Sequence, residues 1–346
     1  VTQGTDTEGV IAGDTPALPA IVEQDIRKAE RTDRIVGTIQ RQGALAVLAV
    51  VVIVASVSFP NFRSFDNAGT ILIAAAPPML IALGMTFVII TGGIDLSVGS
   101  LYVLGGVVSA WASQYGFLAA LVAPLVLCGL IGVANGLLIA YTRMAPFIVT
   151  LAALLGARGL MRAISSEGSD TYLMKSDAVK SFGTGTLLGI GYPVWLVAVL
   201  VVLGVILLAR TRFGHAVYAV GGSQDAASLM GIAVRRTQVT VYIMSGLLAG
   251  LAGAINAAKL GSGVTVLGSG MELDAISAVV IGGTLLTGGA GTVAGTIAGV
   301  LLLGVIQNMI NQIGNVQSNW QQVISGAFLA LVVVAQTYLA RMRRVN

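Results

Sequence analysis

The chain has 346 residues, 56% hydrophobic and 10% charged, with a formal net charge of +4, one cysteine and one histidine. Of its 34 charged side chains, 12 fall in residues 1–42; the remainder is too sparse to coat a soluble globule, whose residues are about one quarter charged. Lone Cys128 and His215 exclude a disulfide framework and a Cys/His metal cluster, so no metal site is expected, and bases set between apolar stretches without aromatic interleaving exclude nucleic acid.

Residues 1–42 mix acids and bases, lack the apolar core of a signal peptide and are expected to form a cytosolic amino-terminal tail. From residue 43 onward, apolar stretches of bilayer-spanning length recur, roughly 17–25 residues each. Ten are expected: 43–60, 70–90, 97–113, 117–141, 146–163, 192–210, 237–258, 273–287, 292–311 and 321–340. The fold class is an all-α, polytopic transmembrane helical bundle of about ten segments, with 43–340 as the membrane domain and 341–346 as a basic tail. Segment 273–287 is short and glycine-rich, which suits either a span or a tilted, broken or re-entrant piece.

Orientation follows from the bases. With the tail inside, ten spans bring Arg143, Arg210, Arg212, Arg235, Arg236 and the carboxyl-terminal arginines to the same side, 13 of the 19 bases in all. Both termini are therefore expected in the cytoplasm. Loops 61–69, 164–191, 259–272 and 312–320 fall outside, and the longest of them, 164–191, is either a connection or a docking surface for a soluble partner.

The 45 glycines are patterned. Gly132 with Gly136, Gly246 with Gly250, and Gly291, Gly295 and Gly299 recur every fourth residue, which favours close helix packing over substrate contact. Arg158 and Arg162 near one end of the fifth span can snorkel, and Asp274 opens the eighth. Asp95 differs. It lies in Thr91-Gly92-Gly93-Ile94-Asp95-Leu96-Ser97-Val98-Gly99-Ser100, a break between spans. Asp95 or Ser97 can cap the third helix, and Gly92, Gly93, Asp95, Ser97 and Asn135 are equally candidates for a translocation pathway or its gate. Asn308, Asn311 and Gln307 are further neutral polar candidates for solute contact or for bridges between helices. A second Thr-Gly-Gly at 287–289 suggests either an internal repeat or a chance likeness between glycine-rich turns.

Loop 210–236 is the longest on the cytoplasmic side. Gly221-Gly222 predicts a turn, Ser223 a cap, Asp225 a favourable first-turn charge, and Gly231 a stop after Met230. The resulting helix, two turns or less, presents Leu229, Met230 and Ile232 beside Ala226 and Ala227. Such a face fits a groove on another protein or packs on its own bundle.

Three strings in this chain resemble the permeases of bacterial ribose/xylose/galactose-type ABC importers. The first is Gly84-Met85-Thr86-Phe87-Val88-Ile89-Ile90 running into the Asp95 string. The second is Thr211-Arg212-Phe213-Gly214-His215-Ala216-Val217-Tyr218-Ala219-Val220-Gly221-Gly222, continued by Ala226-Ala227 and Gly231-Ile232. The third is Glu272-Leu273-Asp274-Ala275-Ile276-Ser277-Ala278-Val279-Val280-Ile281-Gly282-Gly283-Thr284. The resemblance runs from about residue 43 to 340, and the stretch from Glu272 to Gly291 is most similar to galactofuranose-type permeases.

The resemblance implies a multi-pass protein of the bacterial cytoplasmic membrane that pairs with a second permease, as homodimer or heterodimer. It implies a sugar-binding protein outside and a cytosolic ABC ATPase that binds ATP and Mg. On this reading Arg212, Gly221, Gly222, Asp225, Ala226, Ala227, Leu229, Met230, Gly231 and Ile232 couple the permease to that ATPase. The chain itself is expected to hold no cofactor and to be no enzyme: none of its four lysines follows a glycine, so the phosphate-cradling Gly-x-x-x-x-Gly-Lys-Ser/Thr string is absent. The competing readings are a stand-alone ion-coupled carrier for a small polar solute, which calls for paired buried charges, and a membrane-embedded enzyme, which calls for convergent reactive groups.

Overall fold

The computed structural model describes residues 43–313, with positions 323, 326, 327, 330 and 334 beyond them. The expected tail 1–42, the basic residues 341–346 and most of the expected span 321–340 lie outside the described residues. What is described is predominantly helical. In chain order the helices are α1 (Gly43–Ser58), α2 (Phe65–Ile90), α3 (Val98–Ala112), α4 (Phe117–Thr142), α5 (Pro146–Ile164), α6 (Asp177–Thr184), α7 (Tyr192–Arg210), α8 (Arg212–Gly222), α9 (Gln224–Leu229), α10 (Val234–Leu260), α11 (Met271–Ile281) and α12 (Val293–Ile313).

Among the described residues, six helices are long and apolar enough to cross a membrane: α2, α4, α5, α7, α10 and α12. Helices α1, α3 and α11 lie in expected spans but are shorter. The expected segment 273–287 is broken. Its helix ends at Ile281, and Gly283, Gly288 and Gly289 then take positive φ, so the chain turns instead of continuing.

Burial divides the bundle into a centre and a periphery. In α2 and α10, 83% and 72% of the most apolar 18-residue stretch is buried, against 28% in α4 and 22% in both α5 and α7. An apolar helix with that much open surface is solvated by lipid or covered by another subunit. Helix α10 packs chiefly on α4, α3 and α2.

The α4–α10 contact is made by glycine. A Cβ at Gly136 would stand 2.8 Å from the Val239 Cα, and one at Gly250 would stand 2.8 Å from the Pro124 carbonyl oxygen. Gly295 and Gly299 let α12 approach Gly282 and Ala278 in the same way. Across the α2–α12 contact, the Thr86 and Thr296 hydroxyls share a 2.7 Å hydrogen bond.

Loop 164–191 is partly folded onto one end of this bundle. Strand β1 (Tyr172–Leu173) pairs with a later strand at Ser262–Gly263, while β2 (Thr186–Leu187) pairs with β3 (Ile190–Gly191). Met174 is buried, and the Lys175 N–H donates to Ser113 Oγ at 2.8 Å.

Candidate functional site

The chain between α7 and α10 forms two helices, not the single short one expected. Thr211 caps α8, its Oγ1 accepting from the Gly214 N–H at 3.2 Å. Gly221 and Gly222 are the last residues of α8, so the predicted turn there is a helix end, and the break falls at Ser223. Val217 and Val220 are buried, and Phe213 stacks on Phe87 of α2 at 6.3 Å. The apolar spacing of Phe213, Val217 and Val220 behind a Thr cap was the signal for α8.

Helix α9 follows its local rules. Ser223 Oγ accepts from the Ala226 N–H at 3.2 Å, Asp225 lies in the first turn, and Gly231 stops the helix at φ 78°. Leu229 is 90% exposed and Met230 69% exposed, but Ala227 is fully buried. The expected exposed face is corrected at that residue: Ala227 points into the bundle, because one side of so short a helix must dock to hold it. Ile232 is half-buried, while Arg212, Asp225 and Ala226 are exposed. Beside α9 lies a cleft of about 720 Å³ whose lining includes Arg143, Arg235, Arg236 and Asp225.

The end of α8 meets both Thr-Gly-Gly turns. A Cβ at Gly221 would overlap the Ile90 carbonyl oxygen and stand 2.5 Å from the Gly289 nitrogen. A Cβ at Gly288 would stand 2.9 Å from the Gly92 nitrogen and 3.0 Å from the Gly221 oxygen. The Gly289 N–H donates to the Ile90 carbonyl at 2.9 Å, and the Tyr218 hydroxyl donates to the Gly291 carbonyl at 2.7 Å. Three backbone turns distant in sequence thus touch with no side chain between them.

Asp95 lies one turn further along and is buried, at 1% exposure. Its Oδ1 accepts from the Ser97 N–H at 3.0 Å and the Ser97 hydroxyl at 2.5 Å; its Oδ2 accepts from the Ser245 hydroxyl at 2.7 Å. Asn135 Nδ2 donates to Ser97 Oγ at 3.2 Å, and Thr150 Oγ1 donates to the Ile94 carbonyl at 3.2 Å. The break therefore ties α3 to α4, α5 and α10. Ser97 occupies the N-cap of α3 without a side-chain capping bond, since its hydroxyl is given to Asp95. Gly92 is exposed at φ 80°, whereas Gly93 is buried where an added Cβ would strike the Tyr242 hydroxyl. Of the pathway candidates, Asp95, Ser97 and Asn135 form one hydrogen-bonded cluster, and Gly92 and Gly93 join it to the glycine contact. Ser245, Thr150 and Tyr242 belong to this region without any local sequence signal.

The sequence profile described as "Branched-chain amino acid transport system / permease component" matches residues 67–333. The chain is 39% identical over 300 residues to the ribose import permease protein RbsC of Escherichia coli strain K12, covering 85% of this chain and 92% of that one. It is 42% identical over 289 residues to the inner membrane ABC transporter permease protein YjfF of the same strain, covering 80% and 86%. It is 35% identical over 308 residues to the L-arabinose ABC transporter permease protein AraH of Azospirillum brasilense, covering 88% and 90%. No solved structure matches the chain. A profile match over most of the chain, joined to full-length relatives at these identities, makes this protein a member of the branched-chain amino acid transport system permease component family.

Proposed function

We propose that this chain is the membrane subunit of an ATP-driven importer that moves a monosaccharide or related small polyol across the bacterial cytoplasmic membrane. The family assignment and the sugar permeases among the relatives support the transport role and the solute class. Residues 43–340 form the membrane domain, of about ten segments including the shorter α1, α3 and α11, with both termini and loop 210–236 in the cytoplasm. The chain works with a cytosolic ABC ATPase that supplies ATP and Mg chemistry, an extracytoplasmic sugar-binding protein and a second permease subunit.

The observation that carries the mechanism is the placement of α9. Its exposed Leu229 and Met230 suit a groove on the ATPase, and the basic cleft beside it suits acidic groups there. Through α8 and Gly221, displacement of α9 reaches the turns at 91–93 and 287–289, hence the Asp95 cluster and the α11–α12 connection. Arg212, Asp225, Ala226, Gly231 and Ile232 shape this lever, and buried Ala227 anchors it.

Reconstitution tests the reading. Uptake of labelled sugar into proteoliposomes is expected to require ATP, the ATPase and the binding protein together. Uptake by this chain alone would establish the stand-alone carrier instead.

A further inference from the structure

Helix α4 ends, and α5 and α10 begin, around the cleft of about 720 Å³ beside α9, a volume within the roughly 300–1,000 Å³ usual for small-molecule sites. Its charge is lopsided. Arg143, Arg235 and Arg236 line it against one carboxylate, Asp225. Among the described residues none of these three arginines makes an ion pair with Asp225 or with any other acid.

The fold holds each arginine at the cleft. Arg143 closes α4 in the left-handed region, at φ 57°, where glycine is the usual residue. The Arg235 guanidinium sits over the Tyr141 ring, 5.2 Å from its centroid, a stacking that leaves its N–H edge for an acceptor. Arg235 and Arg236 both lie in the first turn of α10, which has no acid and no side-chain cap. Cations at the positive end of a helix are unfavourable, so an anion that enters stabilises this turn.

The cleft also opens onto apolar surface. Tyr141 and Met144 line it and are exposed, and Phe147 and Ile148, in the first turn of α5, are exposed beside them. Helices α4 and α5 are of membrane-crossing length, and only 28% and 22% of their most apolar stretches are buried. An unmet demand for an anion and a hydrocarbon surface therefore meet at the ends of two membrane-length helices.

We propose that this cleft binds an anionic phospholipid, its phosphate bonded by Arg143, Arg235 and Arg236 and its acyl chains laid against Met144, Phe147 and Ile148. Basic pockets between membrane helices are a recurrent form of headgroup site. The inference goes beyond the transport reading and needs only that α4, α5 and α10 cross a bilayer. Acidic groups of the ATPase compete for the same arginines, but they leave the apolar rim uncovered, whereas a phospholipid satisfies both.

The test places the whole chain, without the ATPase, in nanodiscs of phosphatidylcholine alone or mixed with phosphatidylglycerol, and follows modification of each arginine by phenylglyoxal with peptide mass spectrometry. Phosphatidylglycerol is expected to slow modification of Arg143, Arg235 and Arg236 at least tenfold and to leave Arg210, which ends α7 outside the cleft lining, within twofold. Equal rates for the three in both bilayers, or equal slowing of Arg210, overturns the proposal. So does matching protection by inorganic phosphate in phosphatidylcholine, which would assign the cleft to a soluble anion, or protection that appears only when the ATPase is added, which would assign it to that partner.

Native mass spectrometry supplies the variant arm. Arg143→Gln/Arg235→Gln/Arg236→Gln is expected to retain at least tenfold less phosphatidylglycerol than the unaltered chain, and Arg210→Gln to retain as much; retention by the triple variant within twofold overturns the proposal. The footprint is taken on the unaltered chain, so it decides even where the triple variant does not insert. Protection by phosphatidylglycerol in a chain whose complete assembly moves no sugar would sink the importer reading and leave the lipid site standing.

Discussion

Two polar regions interrupt this apolar bundle, and they are built in opposite ways. Around Asp95 both carboxylate oxygens accept hydrogen bonds, Asn135 and Ser97 complete the cluster, and the group is buried at 3% exposure or less. Asp274 instead borders a cavity of about 490 Å³ between α2, α11 and α12, and the Ala74 carbonyl, in the same lining, has lost its helical donors to Pro77 and Pro78. A polar cluster closed on itself at membrane depth holds helices together, whereas one that borders a cavity keeps part of its polar surface uncovered. The first therefore acts through stability, while the second borders a space of the size usual for small molecules.

Variants at Asp95, at the contact between α8 and the breaks, and on α9 should sharpen this contrast. The largest effect on stability is expected for Asp95→Ala, which strands the Ser97 N–H and the Ser97 and Ser245 hydroxyls. At about 1–3 kcal/mol for each stranded buried group, the loss should be about 3 kcal/mol or more, read as a lower unfolding temperature of the detergent-solubilised protein. Asp95→Asn keeps one carbonyl acceptor and gains an N–H that can serve Ser245, so its loss should be about 1 kcal/mol. Undiminished stability of Asp95→Ala with abolished uptake would erase the contrast, because the carboxylate would then be working in transport.

Gly221→Ala comes next. Its methyl group would overlap the Ile90 carbonyl, and overpacking of this kind costs about 1–3 kcal/mol. Gly222→Ala is the control, since an added Cβ there meets nothing within 4 Å. Equal unfolding temperatures for the two variants would show that the turns do not bear on one another as described.

The smallest effect on stability belongs to the double variant Leu229→Glu/Met230→Glu. Both side chains are exposed, so the change should stay within about 0.5 kcal/mol, while ATPase co-purification and ATP-dependent uptake fall at least tenfold. Normal uptake would refute the docking role.

What the sequence disclosed was local. The Ser223 cap, the Gly231 stop and the exposure of Leu229 and Met230 follow from short-range rules, and the glycine spacings pointed to close packing. What it concealed depends on distance. Ser245 is 150 positions from Asp95, and nothing in its surroundings marks it as that carboxylate's partner. Ala227 looked like part of an exposed face because helical spacing gives no sign of which side is docked. The Asp95 turn was read either as a cap by Asp95 or Ser97 or as part of a pathway or gate, and its spacing alone could not show that the Ser97 hydroxyl is given to the carboxylate instead of to the helix. The Pro77-Pro78 pair was fully legible as covalent chemistry, but its bearing on Ala74 required knowing that this side of α2 borders a cavity.

Helix α2 takes part in both ends of the molecule, beginning beside the cavity and ending at Ile90 against Gly221 and Gly289. Its 26 residues make a strut about 39 Å long at 1.5 Å per residue. A stiff strut of that length would move as one, a 5° tilt about its middle carrying its ends by about 1.7 Å in opposite senses. The two prolines lie near that midpoint, where the ladder of hydrogen bonds is already interrupted. An interruption there lets the two halves of α2 bend against one another, so the half at the Gly221 contact can move while the half beside the cavity stays in place.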